Sequence, residues 1–204
     1  MKTWQRKLKR GLDIIVAGGA LLVLSPVFLP IALIVRITSS GKVFFRQERL
    51  GQDKVPFMLY KFRTMIDNAP DIRNEDGSTL NAVNDPRVTR FGGWLRRTSL
   101  DELPQLLNVL SGAMSLVGPR PDQIDQAAFY TEAEWQRISV KPGITGFAQI
   151  NGRNSINWAA RKQMDLQYVA NQSLQMDLSI LLQTIPYVLR RRDVFARETL
   201  ETIQ

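Results

Sequence analysis

Residues 14–35 read IIVAGGALLVLSPVFLPIALIV, with no charged side chain anywhere in the run. A helix of that length measures roughly 33 Å, enough to cross a hydrocarbon core of about 30 Å. The run is too long for the apolar part of a signal peptide, and no small-residue cleavage site follows it. Two features oppose a plain crossing. Ser25-Pro26 sits in the middle, with Pro30 one turn later. Each proline removes a backbone donor and crowds the carbonyl four residues back, so a sharp bend is expected. Both flanks are also basic: Lys2, Arg6, Lys7, Lys9 and Arg10 precede the run, and Arg36, Lys42, Arg46 and Arg49 follow it. Basic flanks favour the cytoplasmic side. If both ends stay there, the segment enters and returns as helix-break-helix, each arm too short to span. A kinked single-pass helix is the other reading, because membrane helices tolerate proline. A buried core helix fits less well, since no polar face interrupts the run.

Outward from this segment, the pattern predicts an α+β fold, mainly helical. Residues 1–38 form the membrane element with its basic flanks. Residues 39–204 form a small cytoplasmic domain with a short β-hairpin and helices at the membrane interface. KVFFRQE at 42–48 and VPFMLYKF at 55–62 read as strands, with Leu50-Gly51-Gln52-Asp53 as the turn. Residues 66–90 are polar and turn-rich and read as a long surface loop. Helices are expected near 91–97, 101–111 (ended by Gly112), 122–138, 155–171 and 176–192. Lys141-Pro142-Gly143 is a turn leading into an extended ITGFAQI. The last helix closes on Arg190, Arg191 and Arg192, which suit either anionic lipid or a solvated helix end.

Composition narrows the chemistry. The net charge is +8, which favours anionic partners of some kind: nucleic acid, lipid or phosphorylated substrate. The chain has no cysteine and no histidine. Disulfides, thiolate zinc sites, Cys nucleophiles and Ser-His-Asp triads are therefore excluded. A metal site would have to use oxygen ligands, which suit Mg²⁺ or Mn²⁺.

Within those limits the informative stretch is Arg96-Arg97-Thr98-Ser99-Leu100-Asp101-Glu102-Leu103-Pro104. Read as structure only, Ser99 caps a helix with Glu102 at its third position, or Asp101 is itself the cap. The first version puts Pro104 too deep in the helix; a start near Asp101 puts it at an allowed position. Read as chemistry, a helix start attracts phosphate, and Arg96 and Arg97 offer bidentate donors to phosphoryl oxygens. A carboxylate there could attack phosphorus or hold a divalent cation. With no histidine or cysteine, Asp101 is the natural nucleophile candidate. Lys61 and Arg63 alternate on one strand face, and Gly118-Pro119-Arg120-Pro121 holds an arginine on a rigid turn. Each is an ordinary surface charge unless they converge on one pocket.

Taken together, these residues resemble the bacterial sugar transferases, specifically the monotopic polyprenyl-phosphate phosphoglycosyl transferases in their small catalytic-domain form. The matching pieces are Lys9-Arg10-Gly11-Leu12-Asp13, Ser25-Pro26, FFRQERLG at 44–51, YKFRTM at 60–65, SLDELPQLLNVLSGAMSLVGPRP at 99–121, KPGITGFAQINGR at 141–153 and DLQYV at 165–169. The resemblance implies a re-entrant membrane helix broken at Ser25-Pro26, with Lys9 and Arg10 at the interface. It implies Asp101 as nucleophile, Glu102 as its acidic partner, and Mg²⁺ at that dyad. Lys61, Arg63, Arg96 and Arg120 match basic positions around the phosphates or nucleotide. The implied reaction moves a sugar 1-phosphate from a UDP-sugar to undecaprenyl phosphate at the cytoplasmic face of the bacterial inner membrane. The implied partners are those two substrates and membrane lipid, with no nucleic acid. Two other readings compete. A membrane-anchored nucleic-acid binder would use the positive charge, but no recognisable nucleic-acid motif is present and the basic residues are scattered. A scaffold without chemistry leaves the acidic pair and its arginines unexplained.

Overall fold

A computed structural model describes residues 1–82, 84–152 and 155–190. The long helix α1 (Thr3–Thr38) leads into a two-stranded antiparallel hairpin, β1 (Phe44–Leu50) and β2 (Pro56–Phe62). After the 66–90 segment come α2 (Arg90–Thr98), α3 (Gln105–Ser111) and β3 (Ser115–Val117). Two 3-10 stretches, Ile124–Phe129 and Ala133–Ser139, precede β4 (Gly143–Thr145), α4 (Phe147–Ile150), α5 (Trp158–Asn171) and α6 (Leu174–Leu189). Of the described residues 56% are helical, in keeping with the mainly helical α+β expectation.

The helix-break-helix expectation needs correction at the level of secondary structure. α1 remains one helix of 36 residues through Pro26 and Pro30. The reason is local. Pro26 cannot donate to the Leu22 carbonyl four residues back, but the Ser25 hydroxyl donates to that carbonyl at 2.8 Å. The helix is long and apolar enough to cross a membrane, and only 11% of its most apolar 18-residue stretch is buried. A core helix of a soluble domain would be mostly covered.

Both ends of the apolar run are tied to the same domain. Near the start, Lys9 Nζ donates to the Val117 carbonyl at 3.0 Å and pairs with Asp177 at 2.8 Å. Arg10 donates to the Val109 and Leu110 carbonyls, satisfying the last turn of α3. The Leu116 N–H donates to Asp13 at 3.0 Å. Ala17 belongs to a core with Leu59, Val109, Met114 and Tyr168. Near the far end, Ile31 and Val35 pack with Phe62 and Leu95 in a second core, and the Phe28 and Phe62 rings lie 5.3 Å apart.

The hairpin appears where its sequence pattern placed it, but its turn is longer. The strands close through residues 51–55, with Asp53 and Lys54 both in left-handed backbone. Only one edge of β2 is covered by β1. The other is completed by Asn108 of α3, whose side chain accepts from Tyr60 N–H at 3.1 Å and donates to the Met58 carbonyl at 2.7 Å. That amide pair stands in for a third strand and fixes β2 against α3.

Three expectations shift. The helix expected at 122–138 is two 3-10 stretches interrupted at Tyr130, whose hydroxyl is held by Asp122 and Arg137 in a buried cluster. The extended ITGFAQI keeps strand form only to Thr145; α4 then begins at Phe147. β3, not anticipated, pairs in parallel with β4. There Gly118 and Gly143 approach so closely that a Cβ on Gly143 would lie 2.1 Å from the Gly118 nitrogen. The described residues of the 66–89 segment form no strand or helix, and α2 takes up Arg90, yet the segment is pinned from inside by the Asp85–Arg87 pair at 2.6 Å and by Arg87 bonds to the Pro70 and Leu80 carbonyls. Arg191, Arg192 and Arg153 lie outside the described residues.

Candidate active site

Asp101 and Glu102 sit on a 3-10 turn, Leu100–Glu102, between α2 and α3. Neither capping reading holds. Ser99 is the last residue of the α2 cap, in left-handed backbone at φ 58°, and its side chain makes no capping bond. α3 begins only at Gln105, with Pro104 as its cap, so the proline stands where no intrahelical acceptor awaits its missing N–H. The turn ahead of it holds the two acidic side chains away from the helix they were expected to start.

Both carboxylates are buried. Glu102 Oε1 accepts from Lys61 Nζ at 2.9 Å and from Arg120 Nη2 at 2.7 Å. Lys61 comes from β2, held by the Asn108 bridge one residue away. Arg120 comes from the rigid Gly-Pro-Arg-Pro turn after β3. Arg96, from the last turn of α2, donates to the Thr64 hydroxyl at 2.9 Å and feels the negative charge of Asp101. Two of the four basic residues expected from sequence therefore bind the acidic pair directly, and Arg96 lies within electrostatic reach of it. Arg63 does not. Its guanidinium donates to the carbonyls of Ser39 and Ser40 and pairs with Asp67, fastening the exit of α1 to the end of β2.

Electrostatics follow from burial and pairing. Burial holds the Lys61 ammonium below the usual lysine range, with Glu102 pulling the other way. Arg96 is lowered by burial. Arg120 is raised, mainly by Glu102. The site presents three cations around two carboxylates, an excess suited to a phosphorylated ligand.

Sequence reading missed a second polar cluster directly behind Arg120. Arg137 is nearly inaccessible. It binds Asp165 through two nitrogens at 2.6 and 3.1 Å, and Asp122 and the Tyr130 hydroxyl at 2.6 Å each. Asp165 is pushed up to about 6 by burial, against the pull of Arg137. Asp165 opened a quoted motif, DLQYV, without a role; nothing in the sequence around Arg137 separates it from a surface arginine. A cleft runs from Arg120 past this cluster to Gln149, Trp158 and Arg161.

A buried carboxylate pair ringed by guanidinium and ammonium groups, on a domain joined at both ends to one apolar helix, defines a membrane-associated protein built to handle phosphate esters. The chain belongs to the bacterial sugar transferase family, whose model matches residues 4–191. It is 44% identical over 191 residues to the exopolysaccharide production protein ExoY of Rhizobium meliloti, covering 88% of this chain and 84% of that protein. It is 47% identical over 182 residues to the uncharacterized sugar transferase EpsL of Bacillus subtilis, covering 89% and 87%. It is 45% identical over 188 residues to the UDP-glucose:undecaprenyl-phosphate glucose-1-phosphate transferase of Escherichia coli, covering 88% of this chain and 40% of that longer protein.

Proposed function

We propose that the protein transfers a sugar 1-phosphate from a UDP-sugar to undecaprenyl phosphate, releasing UMP, as the first membrane step of glycan assembly. The observation that carries the reading is the binding of Lys61 and Arg120 to the Glu102 of a buried Asp101–Glu102 pair, with Arg96 in electrostatic reach of Asp101, in a chain of this family. The names of the E. coli relative and of similar transferases in Xanthomonas campestris and Klebsiella pneumoniae make UDP-glucose the first donor to test.

In this mechanism an Asp101 oxygen attacks the sugar-bearing phosphorus. A new O–P bond forms, the bond to UMP breaks, and UMP leaves with the electron pair. A phosphate oxygen of undecaprenyl phosphate then attacks the same phosphorus and regenerates the carboxylate. Lys61, Arg96 and Arg120 offset charge on the transferring group, where positioning and electrostatics supply most of the rate. Glu102 orients Lys61 and Arg120 through its Oε1.

The donor set fits Mg²⁺. Among the described residues no cluster of three or more acidic side chains exists. Mg²⁺ is commonly held by one or two carboxylates, with substrate phosphate and water completing the shell, so Asp101 and Glu102 suffice. The ion, when bound, neutralises charge on the phosphoryl oxygens.

The membrane placement is re-entrant, on the cytoplasmic face of the inner membrane. What supports it is the attachment of both ends of the apolar run to one domain: Lys9, Arg10 and Asp13 at one end, Ile31 and Val35 at the other. A straight helix spanning the bilayer would carry those ends to opposite faces. A second apolar strip on α6, Leu178, Leu182, Ile185 and Leu189, is exposed at helical spacing and suits the interface. The Lys9–Asp177 pair joins the two helices that carry these faces.

The test is UMP release from a panel of UDP-sugars, with undecaprenyl phosphate, by protein in detergent or nanodiscs, with and without EDTA. Turnover, read as UMP in excess of one equivalent per protein, that depends on both substrates and is lost with EDTA supports the reading. Absence of release from every donor removes it.

A further inference from the structure

The turn that carries Arg120 is held at four successive carbonyls, each by a donor from another part of the chain. The Gly143 N–H donates to the Pro119 carbonyl and the Leu50 N–H to the Asp122 carbonyl, both at 2.9 Å. Arg137 Nη2 donates to the Arg120 carbonyl at 3.4 Å, and Arg49 Nη1 to the Pro121 carbonyl at 3.3 Å. Residues 119–122 lie in no strand or helix. These bonds, with the fixed φ of Pro119 and Pro121, set the direction in which the Arg120 side chain leaves the backbone toward Glu102.

Of the two guanidinium groups in this mount, Arg137 is explained by its pairs with Asp122 and Asp165. Arg49 has no such explanation. It forms no ion pair with any described residue; its other bond runs from Nη2 to the neutral Gln47 Oε1 at 2.6 Å, and its Nε has no hydrogen-bond partner. Burial pushes it down to about 10, and the like charge of Arg120 is the next cause. A cation kept partly buried beside another cation is destabilising, and such arrangements concentrate at functional sites. The basic residues after the apolar run include Arg49, yet in the fold it lies on β1, one residue before the Leu50 N–H that holds Asp122. Its direction is fixed in turn. Gln47 donates to Gln123 Oε1 at 2.9 Å, and the same oxygen accepts from Arg73 of the 66–89 segment at 2.6 Å.

We propose that Arg49 is a positioning residue for the transfer: through the Pro121 carbonyl it fixes the turn that aims Arg120 at the reacting phosphate, without touching substrate itself. This role rests on the sugar-phosphate transfer proposed above. Only a long planar fork reaches acceptors on β1 and on the turn at once, which is why an arginine stands there despite the repulsion. Arg120 has to meet charge as it develops on the transferring group, and a misplacement of about 1 Å can lower the rate on the order of 10²-fold. Loss of Arg49 therefore lowers kcat and leaves KM nearly as it was.

The experiment is a double-mutant cycle on UMP release: wild type, Arg49→Met, Arg120→Ala and the pair, in detergent, with undecaprenyl phosphate and the UDP-sugar that wild type turns over best. Arg49→Met is expected to lower kcat by about 10- to 100-fold, with the donor KM changed by less than about threefold. Arg49→Lys should recover part of the loss, because its ammonium can still donate to the Pro121 carbonyl. In the Arg120→Ala background Arg49→Met should lower kcat by less than about twofold more, since the side chain it aims is gone. Thermal unfolding checks that each variant is folded; if Arg49→Met is not, the same cycle with Arg49→Lys decides. Losses that multiply in the pair, an unchanged kcat in the folded single variant, or a raised KM alone overturn the positioning role and leave the transfer standing. A wild type that releases no UMP from any UDP-sugar overturns the transfer and this role with it.

Discussion

Arg120 Nη2 stands 2.7 Å from Glu102 Oε1, and through that one bond the acidic pair is joined to the cleft behind it. Lys61 shares the same oxygen at 2.9 Å. Glu102 is thus a holder of cations, and Glu102→Gln keeps its shape while removing its charge. Burial already holds Lys61 below the ordinary lysine value of 10.5, and Glu102 is the largest opposing influence. The sign follows. As pH rises through that lowered value, Lys61 loses its proton and activity falls. Glu102→Gln removes the opposing pull, so the alkaline limb moves to lower pH. Lys61→Arg moves it to higher pH, since arginine keeps its proton. A pH–rate profile of UMP release in the three proteins checks this; a limb unmoved in Lys61→Arg places its origin elsewhere.

Asp101→Asn retains the size of the side chain and loses its nucleophilic charge. UMP release is expected to fall by at least ~10³-fold, with or without added Mg²⁺. Intact mass spectrometry of wild-type protein quenched with UDP-sugar alone should show a covalent sugar phosphate, and Asp101→Asn should not. Near-normal turnover in this variant would remove Asp101 from the role.

These two residues were legible because their types and spacing are local. Asp101, Glu102 and two arginines lie within seven positions, and the absence of histidine and cysteine narrowed the choice of nucleophile. The apolar run was legible for the same reason. What sequence could not supply was the meeting of distant side chains. Arg63 and Lys61 alternate on one strand, yet Lys61 reaches Glu102 while Arg63 turns to Ser39 and Ser40. Arg137 looks like any helical arginine until Asp122 and Asp165 close on it. The 122–138 helix was misread because that buried network outweighs local helix propensity at Tyr130. The β3–β4 pair was missed because three-residue strands carry no measurable alternation.

Topology can be tested with unusual directness, because the chain contains no cysteine. Lys2→Cys and Thr38→Cys place single thiols at exposed positions just outside the two ends of α1's apolar run. In inverted inner-membrane vesicles, a membrane-impermeant maleimide is expected to label both. In intact spheroplasts neither should react. Labelling of the two sites from opposite faces would establish a spanning helix and end the re-entrant placement. Ser25→Ala adds a finer probe. It deprives the Leu22 carbonyl of its donor, and should lower thermal stability by about 0.5–1.5 kcal/mol.

Arg137 offers the sharpest stability test, because one guanidinium answers a buried carboxylate, Asp165, and a second, partly exposed one, Asp122. It reaches Asp165 at 2.6 Å and Asp122 at 2.6 Å, and takes the Tyr130 hydroxyl as well. Arg137→Ala strands Asp165 and leaves Asp122 only the neutral donors of Tyr130 and Trp158, and a loss of about 3–5 kcal/mol is expected near neutral pH. The pH dependence gives the sign. Asp165 is raised to about 6 even with Arg137 present, and without that pull it must rise further. A carboxyl whose folded value lies above its unfolded value binds protons more tightly when folded, so stability increases as pH falls through the folded value. The deficit of Arg137→Ala relative to wild type should therefore narrow between pH 7 and pH 5, measured by denaturant or thermal unfolding. The double variant Arg137→Ala/Asp165→Asn should recover part of the loss at pH 7 and show less narrowing. A deficit constant across that range would mean that Arg137 acts by packing rather than by charge.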